Sequence, residues 1–361
     1  MITPLPPTAM IAMSGGVDSA VAALLMKEQG FAVTGVTMRL FCNGENIPSA
    51  DGETTDITPD IRDARVVADR LGISHLVCRL EKTFCDKVID DFVRTYLEGG
   101  TPNPCVVCNK TIKFGALLDF ATQNGLAYAA TGHYARITQD GNGRFLVRRA
   151  RDEKKDQSYM LWSLSQDVLS RVKLPLGELT KDEVRKIAAS HGFESADRKD
   201  SQDICFLPDG NYADFIRRYA DHLPLPGHFV DREGNILGDH PGMLHYTIGQ
   251  RKGLGIALGR PMYVCDKNAA TGDVVLCDDA DLYATTLTAK SVNFIPFDRL
   301  LSPIRVEAKI RYAHKPSPAT VTPTGEDTVR VEFDVPQRAI ARGQSVVFYD
   351  GDVLVGGGII E

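Results

Sequence analysis

The sequence contains no long apolar run, which argues against a membrane-spanning protein. A transmembrane helix needs about 20 consecutive apolar residues, and no stretch of the 361 residues approaches that length. The opening MITPLPPTAMIAM also lacks the basic start and apolar centre of a signal peptide, so we expect a cytoplasmic location. A composition of 43% hydrophobic and 24% charged residues is typical of a globular protein, and the length predicts two or three domains.

The sequence also lacks an excess of positive charge and a dense set of cysteines. The formal net charge of -6 argues against indiscriminate binding of nucleic acid, although it permits a local basic surface. The eight cysteines are spread thinly over the chain. In a reducing compartment this favours catalytic or metal-binding thiols over a disulfide framework, so each cysteine needs its own interpretation.

The first half of the chain alternates strand and helix patterns. We predict strands at 8–13, 31–40, 74–80 and 126–135, and helices at 20–30, 63–72, 85–99 and 109–122. Such alternation is typical of an α/β domain with a mostly parallel, covered sheet. Ligands of these sheets bind outside the carboxyl ends of the strands.

The segment SGGVDS, residues 14–19, follows the first predicted strand and opens a helix. Its glycines let backbone N–H groups approach an anion, the hydroxyls of Ser14 and Ser19 add donors, and a helix N-terminus favours negative charge. Asp18 is a candidate ligand for the magnesium that accompanies a polyphosphate. No Gly-Lys-Ser/Thr follows and GxGxxG is not matched, so this is neither a Walker A loop nor a dinucleotide fingerprint. We predict a polyphosphate loop; the alternative is a plain glycine turn.

The pair Cys105 and Cys108 in TPNPCVVCNK permits several interpretations. Zinc would require a second cysteine pair or histidines at ligand spacing, and neither follows. A thioredoxin-like redox pair fits a helix start, but a polyphosphate loop has no role in such an enzyme. The helix dipole and Lys110 or Lys113 would favour a thiolate here.

Five of the six other cysteines fall into two groups. Cys205 lies among charged and polar residues in RKDSQDICFLPDG, unlike a buried filler residue. We interpret Cys78, Cys85, Cys265 and Cys277 as structural, because a free cysteine is commonly a small buried hydrophobe.

The second half changes to short strands with glycine turns after residue 209, and from 282 onward the apolar and polar residues alternate as in a small antiparallel barrel.

Before that change, residues 144–161 carry six basic residues ahead of Asp156, Gln157 and Ser158. By itself such a run favours a solvated face. Next to TGHYAR it favours a loop that grips a nucleic-acid backbone.

Two resemblances follow from these motifs. SGGVDS resembles the pyrophosphate loop of the N-type ATP pyrophosphatases, which implies that ATP is cleaved between its α and β phosphates while an acceptor oxygen is adenylated. The motifs AMSGGVDS, TPNPCVVCNKTIKFG, ATGHYAR, KDQSYML, DSQDICF and HYTIGQRKGLGIA occur in the order found in the tRNA-specific 2-thiouridylase (MnmA) family. The match covers nearly the whole chain and implies an adenine nucleotide alpha hydrolase-like ATP pyrophosphatase domain (1–209), a central linker domain (210–281) and a C-terminal antiparallel β-barrel that binds tRNA (282–361).

The resemblance also implies an activity. The family replaces O2 of the wobble uridine of certain tRNAs by sulfur, using ATP, Mg2+ and a persulfide delivered by a sulfur carrier protein. Two other functions stay open. An amidating ATP pyrophosphatase of the GMP or NAD synthetase type would need an ammonia source, and the chain shows no glutaminase-like segment. A non-catalytic tRNA-binding sulfur carrier would use SGGVDS only to sense nucleotide.

Roles for single residues follow from the same resemblance. Cys205 is expected to carry the persulfide and Cys108 to be its partner thiol, which ends in a Cys108–Cys205 disulfide. Cys105 stands where some members have Asp, beside the target base with Asn103 and Pro104, so a general-base role is in doubt there. Cys105, Cys108 and Cys205 also suit a 4Fe-4S cluster, as proposed for related thiolases, although we favour the persulfide relay.

The remaining implied contacts concern ATP and tRNA. For ATP they are Ala12, Met13, Ser14, Gly15, Gly16, Val17, Asp18, Ser19, Met38 and Gly132, and for tRNA they are His133, Lys155, Asp156, Gln157, Arg311, Tyr312 and Gln344.

Overall fold

The structure is a computed structural model that describes residues 5–40, 58–193, 204–207, 210–220 and 226–361. The chain forms two compact units. The first consists of Met1–Val88, Cys105–Gln202 and Asp352–Leu354, and the second of Ile89–Pro104, Asp203–Gly351 and Val355–Glu361. Within the described ranges, no helix is both long enough and apolar enough to cross a bilayer.

The helices and strands are numbered in chain order. The helices are α1 (Val17–Glu28), α2 (Pro59–Leu71), α3 (Glu81–Phe84), α4 (Asp90–Leu97), α5 (Pro104–Cys108), α6 (Leu117–Gln123), α7 (Gln166–Arg171), α8 (Lys181–Ser190) and α9 (Tyr212–Tyr219). The strands are β1 (Thr8–Ala12), β2 (Ala32–Arg39), β3 (Ser74–Arg79), β4 (Tyr128–Ala130), β5 (Ala135–Gln139), β6 (Phe145–Arg149), β7 (Val172–Lys173), β8 (Gly227–Val230), β9 (Ile236–His240), β10 (Tyr263–Lys267), β11 (Val274–Cys277), β12 (Tyr283–Phe294), β13 (Ile304–Lys309), β14 (Ser317–Pro323), β15 (Val329–Arg338), β16 (Ser345–Asp350) and β17 (Val353–Ile360). Two π-helical segments, Cys85–Ile89 and Asn109–Ala116, join α3 to α4 and α5 to α6.

A five-stranded parallel sheet with the order β3-β2-β1-β4-β7 forms the centre of the first unit. β1 lies in the middle, and its Ala9, Met10 and Ile11 are fully buried. A parallel strand that is covered on both faces carries a continuous apolar run, as β1 does. The sheet confirms the predicted α/β class.

The helices of the first unit start and stop where the sequence provides the signals. α2 begins after Thr58, whose hydroxyl caps the first turn, and ends at Gly72 with a left-handed φ of 61°. α8 begins with a capping box formed by Thr180 and Glu183. α1 has no side-chain cap, so its first backbone N–H groups are available to a ligand.

Some of the predicted elements differ from the observed ones. The single strand predicted at 126–135 is wrong, because β4 ends at Ala130 and β5, which pairs with β6 outside the parallel sheet, starts at Ala135. The apolar run hides this break, which the packing of Gly132 imposes as described below. The helices predicted at 63–72, 85–99 and 109–122 begin at Pro59, Glu81 and Pro104, four or five residues early.

The second unit contains a mixed sheet and a barrel. The mixed sheet has the order β10-β11-β8-β9, and its apolar core includes Phe229, Met243 and Val264. The barrel strands follow the order β12-β15-β14-β13-β16-β17, and β12 also pairs with β17 to close it. Alternate residues of β15 are buried, from Val329 to Phe333, as the period of two predicted. The predicted C-terminal antiparallel barrel is confirmed.

Candidate active site

The candidate nucleotide site lies where the strand order reverses between β1 and β4. Loops that follow the carboxyl ends of two such strands form the ligand crevice of an open α/β sheet. The loop after β1 is SGGVDS, and Gly132 follows β4. A Cβ atom on Gly132 would lie 3.0 Å from Cβ of Asp18 and 3.1 Å from the backbone nitrogen of Ser19. The predicted ATP-binding residues of the two loops are therefore neighbours.

The backbone of SGGVDS is held in one conformation by its own residues. Gly15 has a left-handed φ of 72°, and a Cβ there would lie 2.5 Å from Cβ of Asp63, so only glycine fits. The Ser19 hydroxyl donates to Gly16 O at 2.9 Å and accepts from Ser14 N at 3.3 Å. The Ser19 hydroxyl thus closes the loop, and its predicted contact with an anion stays a prediction. The uncapped N-terminus of α1 is a further candidate anion-binding element.

Two residues that sequence reasoning missed surround Asp18. Lys181 Nζ lies 2.8 Å from each carboxylate oxygen, and the Tyr134 hydroxyl donates to one of them at 2.7 Å. Lys181 is only 4% exposed, which is unusual for a lysine without a functional partner. No local pattern links residues 163 positions apart, so the sequence carried no signal for this pair.

The residues at Asp18 do not form a ready magnesium site. Mg2+ in nucleotide enzymes usually binds one or two carboxylates together with substrate phosphates. The one carboxylate of this loop already faces the buried ammonium of Lys181 through both oxygens. Among the described residues, no group of three or more His, Cys, Asp or Glu side chains is placed to hold a metal ion. We therefore derive no step from a metal bound to Asp18.

Cys105 and Cys108 lie in the first turns of a helix that runs from α5 through the π segment into α6. Cys105 is exposed and Cys108 is buried, and both are thiols. The pKa of Cys105 is raised overall, because desolvation by the surrounding protein atoms outweighs the lowering by the nearby Lys113 ammonium, although part of the Cys105 surface is accessible. The predicted influence of Lys113 is confirmed, but the net direction is opposite to that of an activated thiolate.

Cys205 is also an exposed thiol, in the second unit. Its neighbour Phe206 packs edge-on against Phe92 with ring centroids 5.2 Å apart, and against Phe215 at 5.3 Å. These contacts fix the short described segment 204–207, so the thiol is presented from an anchored position. The disulfide between Cys108 and Cys205 stays a prediction. Because no three-residue metal group was found among the described residues, we derive no step through an iron–sulfur cluster.

Most of the other cysteines behave as the sequence indicated. Burial raises the pKa of Cys78 to about 11 and that of Cys277 to about 12, and it also raises the pKa of Cys265. Such thiols are poor nucleophiles. Cys85 is in a disulfide, a pairing that the sequence analysis did not predict.

His133 is buried beside Cys105's helix. Its Nδ1 lies 2.7 Å from the Thr131 hydroxyl, and its Nε2 lies 3.5 Å from Lys113 Nζ. Burial, and then the charge of Lys113, hold the pKa of His133 well below its usual range, so the ring is neutral. An ammonium can only donate, so Nε2 is the acceptor and Nδ1–H donates to Thr131. With 8% of its surface exposed, His133 offers little area to a tRNA.

The basic stretch 144–161 contains β6, a tight turn at 150–157 and a 3-10 helix at Ser158–Leu161, and is not one continuous loop. The Asp156 carboxylate accepts hydrogen bonds from Ala150 N and Ser158 N, so it organises the turn. Gln157 Oε1 accepts from Tyr134 N at 3.0 Å. The hydrogen bonds of Asp156 and Gln157 therefore hold the turn that carries Lys154 and Lys155.

The other predicted contact residues occupy varied positions. Met38 is half-buried at the end of β2. Arg311 Nη1 donates to Arg338 O at 3.2 Å, and Tyr312 is 41% exposed. Gln344 directs its amide group at the backbone of Thr101 and Pro102. Asn103 and Pro104 directly follow those two residues and lead into Cys105.

Three family models together match nearly all of the chain. They are the tRNA methyl transferase HUP domain over residues 8–209, the tRNA methyl transferase PRC-barrel domain over 213–278 and the aminomethyltransferase beta-barrel domain over 284–360. Among solved structures, a 4-thiouridine synthetase–RNA complex with bound ATP gives a TM-score of 0.35 at 17% identity over 59% of this chain and 50% of that chain, too weak a likeness to bear on this protein.

Curated relatives match along nearly their whole length. A protein named tRNA-specific 2-thiouridylase MnmA from Clostridioides difficile is 50% identical over 353 residues, which is 98% of this chain and 97% of that protein. One named tRNA-specific 2-thiouridylase MnmA 2 from Clostridium botulinum is 50% identical over 98% of both chains. At this identity and coverage, the chain belongs to the tRNA-specific 2-thiouridylase (MnmA) family.

Proposed function

We propose that this protein is an ATP-dependent tRNA uridine 2-sulfurtransferase that converts the wobble uridine to 2-thiouridine. The observation that carries the proposal is the SGGVDS loop at the switch point of the parallel sheet, in a chain of this family. The substrates are tRNA, ATP and a persulfide from a sulfur carrier protein, and the products are thiolated tRNA, AMP and pyrophosphate.

The first step activates the uridine. Uracil O2 is a poor leaving group, so it attacks the α-phosphorus of ATP, the bond to the β-phosphate oxygen breaks and pyrophosphate leaves. The backbone N–H groups at the start of α1 and the narrow turn at Gly15 and Gly16 bind the phosphates. Lys181 neutralises the Asp18 carboxylate at the same loop, so that no net negative charge opposes the phosphates there.

The second step exchanges oxygen for sulfur. The terminal sulfur of a Cys205 persulfide attacks C2 of the base, and Cys108 attacks the inner sulfur to form a Cys108–Cys205 disulfide. The bond between the two persulfide sulfurs breaks, its electron pair stays with the sulfur on C2, and AMP departs with the former O2. In the alternative order, Cys108 attacks the persulfide first and releases the same sulfur as hydrosulfide, which then attacks C2. The products are the same. A thiol reductant must then reduce the disulfide before another turnover.

The remaining assignments belong to the same proposal. We infer that Asn103, Pro104 and Cys105 line the target base, and that Lys155, with Arg311 and Tyr312 of the second unit, contacts tRNA. The catalytic domain is proposed to span 1–209, the linker domain 210–281 and the barrel 282–361, in a cytoplasmic protein.

The test is a reconstituted assay. Protein, ATP, Mg2+, a persulfide donor and unmodified tRNA are incubated, and 2-thiouridine is measured by mass spectrometry together with pyrophosphate. We expect both products only when ATP and a tRNA with a wobble uridine are present, and a tRNA without that uridine serves as the control. Pyrophosphate formed from an ammonia-dependent reaction would favour an amidating enzyme. Absence of tRNA-dependent pyrophosphate would favour a sulfur carrier without catalysis.

A further inference from the structure

A turn of the barrel, residues 341–344, contacts the chain segment that leads into the base-lining residues. We call residues 99–104 the base segment and residues 341–344 the barrel turn. Gln344 Nε2 donates to Thr101 O at 3.2 Å and to Pro102 O at 3.0 Å, and Thr101 N donates to Arg342 O at 2.7 Å. Three hydrogen bonds therefore join the two stretches within the second unit.

The two stretches approach so closely at Gly343 and Gly100 that a side chain fits at neither position. Gly343 has a left-handed φ of 85°, and a Cβ on it would lie 2.7 Å from Thr95 Cγ2 and 3.1 Å from Thr101 O. A Cβ on Gly100 would lie 2.9 Å from Thr95 Cγ2 and 3.1 Å from Arg342 O. Both positions require glycine, so this is a closely fitted contact.

Lys267, at the end of β10 in the mixed sheet, contacts the same segment. Lys267 is 1% exposed, and its Nζ lies 3.5 Å from Gly100 O and 3.3 Å from Tyr246 O. Arg342 Nη2 donates to Lys267 O at 3.1 Å, which connects the lysine to the barrel turn. The base segment is thus fixed by groups from two directions within the second unit.

We propose that Gln344 is a positioning residue, which holds the backbone of Thr101 and Pro102 so that Asn103, Pro104 and Cys105 are presented to the uracil base. The amide group of a glutamine has two N–H donors, and here each faces a backbone carbonyl. Its remaining oxygen is an acceptor, which cannot bind an anionic phosphate. Gln344 therefore acts on tRNA through the base segment, and the direct tRNA contact expected from the sequence is not its main role.

The variant Gln344→Glu tests this role. Its kinetic measurement rests on the proposed function, because it requires thiolation activity. Glutamate has the same shape but no donor, and it sets a carboxylate oxygen against two carbonyls. We expect kcat for thiolation to fall roughly 10- to 100-fold, because small errors in placing a reacting group cost that much. The Kd for tRNA should stay within about twofold, since the substitution removes no group that binds a phosphate.

The matched control is Gln139→Glu. Gln139 also donates its amide to a backbone carbonyl, that of Gly143 in the β5–β6 hairpin, far along the chain from the base segment. It should show wild-type kcat and Kd. Gln344→Lys restores donors to the two carbonyls, so its kcat should exceed that of Gln344→Glu at least about fivefold. If Gln344→Glu does not fold, Gln344→Ala removes the donors without adding charge and takes its place.

A second readout does not require activity. The alkylation rate of Cys105, measured by peptide mass spectrometry, should rise at least about threefold in Gln344→Glu as the base segment loosens, with Cys205 as the internal reference. A tRNA Kd raised about tenfold with unchanged kcat and unchanged Cys105 labelling would overturn the proposal in favour of direct contact. If the wild-type protein makes no 2-thiouridine, the proposed function fails, and the Cys105 labelling alone still decides whether Gln344 positions the segment.

Discussion

Lys181 is the residue that sets the charge at the nucleotide loop. An unpaired carboxylate at the mouth of a phosphate site would repel ATP, and the buried ammonium of Lys181 neutralises that of Asp18 through both oxygens. Tyr134 adds a hydrogen bond to the same carboxylate. The loop therefore presents to a triphosphate the N-terminus of α1 without a competing negative charge.

Removal of this ammonium should weaken nucleotide binding. We expect Lys181→Met to raise the Kd of a non-hydrolysable ATP analogue roughly 10- to 100-fold, since a hydrogen bond to a charged group is worth about 1.5–3 kcal/mol. Calorimetric titration measures this Kd, and tRNA affinity should not change. Lys186→Met is the control, because Lys186 is an exposed lysine on the same helix. Equal affinities in wild type and Lys181→Met would show that the ion pair is only structural.

Cys105, Cys108 and Cys205 are expected to differ in their importance for thiolation. We predict that Cys205→Ser and Cys108→Ser each abolish thiolation when persulfide is the donor, because one carries the sulfur and the other resolves it. Cys105→Ser should retain measurable activity in aerobically purified protein, because a raised pKa makes this thiol a weak nucleophile. The measurement is 2-thiouridine per tRNA, with Cys265→Ser as the control.

The same variants distinguish the relay from a cluster. A three-thiolate cluster needs Cys105 as much as the other two. Complete loss of activity in Cys105→Ser, together with iron in anaerobically prepared wild type and dependence of activity on that iron, would contradict the relay.

At the scale of elements, the sequence predicted periodic structure well and long-range pairing poorly. The barrel strands and the strands at 8–13, 31–40 and 74–80 were found because each carries its own period or apolar run. The break between β4 and β5 was missed because Gly132 must approach Asp18, a tertiary requirement that the local run Leu126–Ala130 does not reveal. The SGGVDS loop was found for the opposite reason, since its glycines and helix start are contiguous.

Two long-range pairs, Lys181 with Asp18 and Gln344 with Thr101, could not be predicted from local sequence patterns. Lys181 reaches Asp18 across 163 positions, and Gln344 reaches Thr101 across 243. Resemblance supplied position 344 as a contact residue but not the direction of its amide. Only the folded chain shows that both donors are used on the base segment.

The turn at 150–157 connects the predicted tRNA-binding lysines to the nucleotide loop. Asp152 Oδ1 accepts from Lys154 N, and its Oδ2 accepts from the backbone nitrogen of Lys181. Gln157 binds the backbone of Tyr134, whose hydroxyl reaches Asp18. Two series of hydrogen bonds therefore connect this turn to the carboxylate of Asp18.

The lysines of that turn should carry part of the salt dependence of tRNA binding. Lys154 and Lys155 are two of the six basic residues of the stretch 144–161, and positive charges that neutralise phosphates make binding depend on salt. In the double variant Lys154→Ala/Lys155→Ala, the slope of log K against log salt should become shallower by roughly 0.7–0.9 for each phosphate that the variant no longer neutralises.

Filter binding at several salt concentrations measures this slope. The control is Arg185→Ala/Lys186→Ala, which removes the same charge from exposed positions of α8 and should keep the wild-type slope. An unchanged slope in the lysine variant would indicate that the turn is only a solvated face and does not contact tRNA phosphates.

At the scale of the whole molecule, the net charge of -6 opposes the approach of tRNA from a distance. Screening limits that repulsion to about 8 Å at physiological ionic strength, so binding depends on local basic groups. For a protein of this charge balance, local clusters of lysine and arginine decide where a polyanion can bind. In the proposed function, discrimination would rest on the base segment, to which the barrel turn is hydrogen-bonded within the second unit.

Global stability should depend on pH through His133, because its folded-state pKa lies well below the value of about 6.5 in an unfolded chain. Between those two values the unfolded chain binds more protons than the folded one, so the free energy of unfolding falls as the pH drops below about 6.5 and its full value is present above that pH. One such histidine contributes a slope of up to about 1.4 kcal/mol per pH unit. We expect His133→Gln to make the decrease below about pH 6.5 shallower by up to that amount, as measured by urea denaturation at fixed pH steps. The exposed His191→Gln variant should keep the wild-type slope, and an equal slope in His133→Gln would show that His133 takes up a proton in the folded protein.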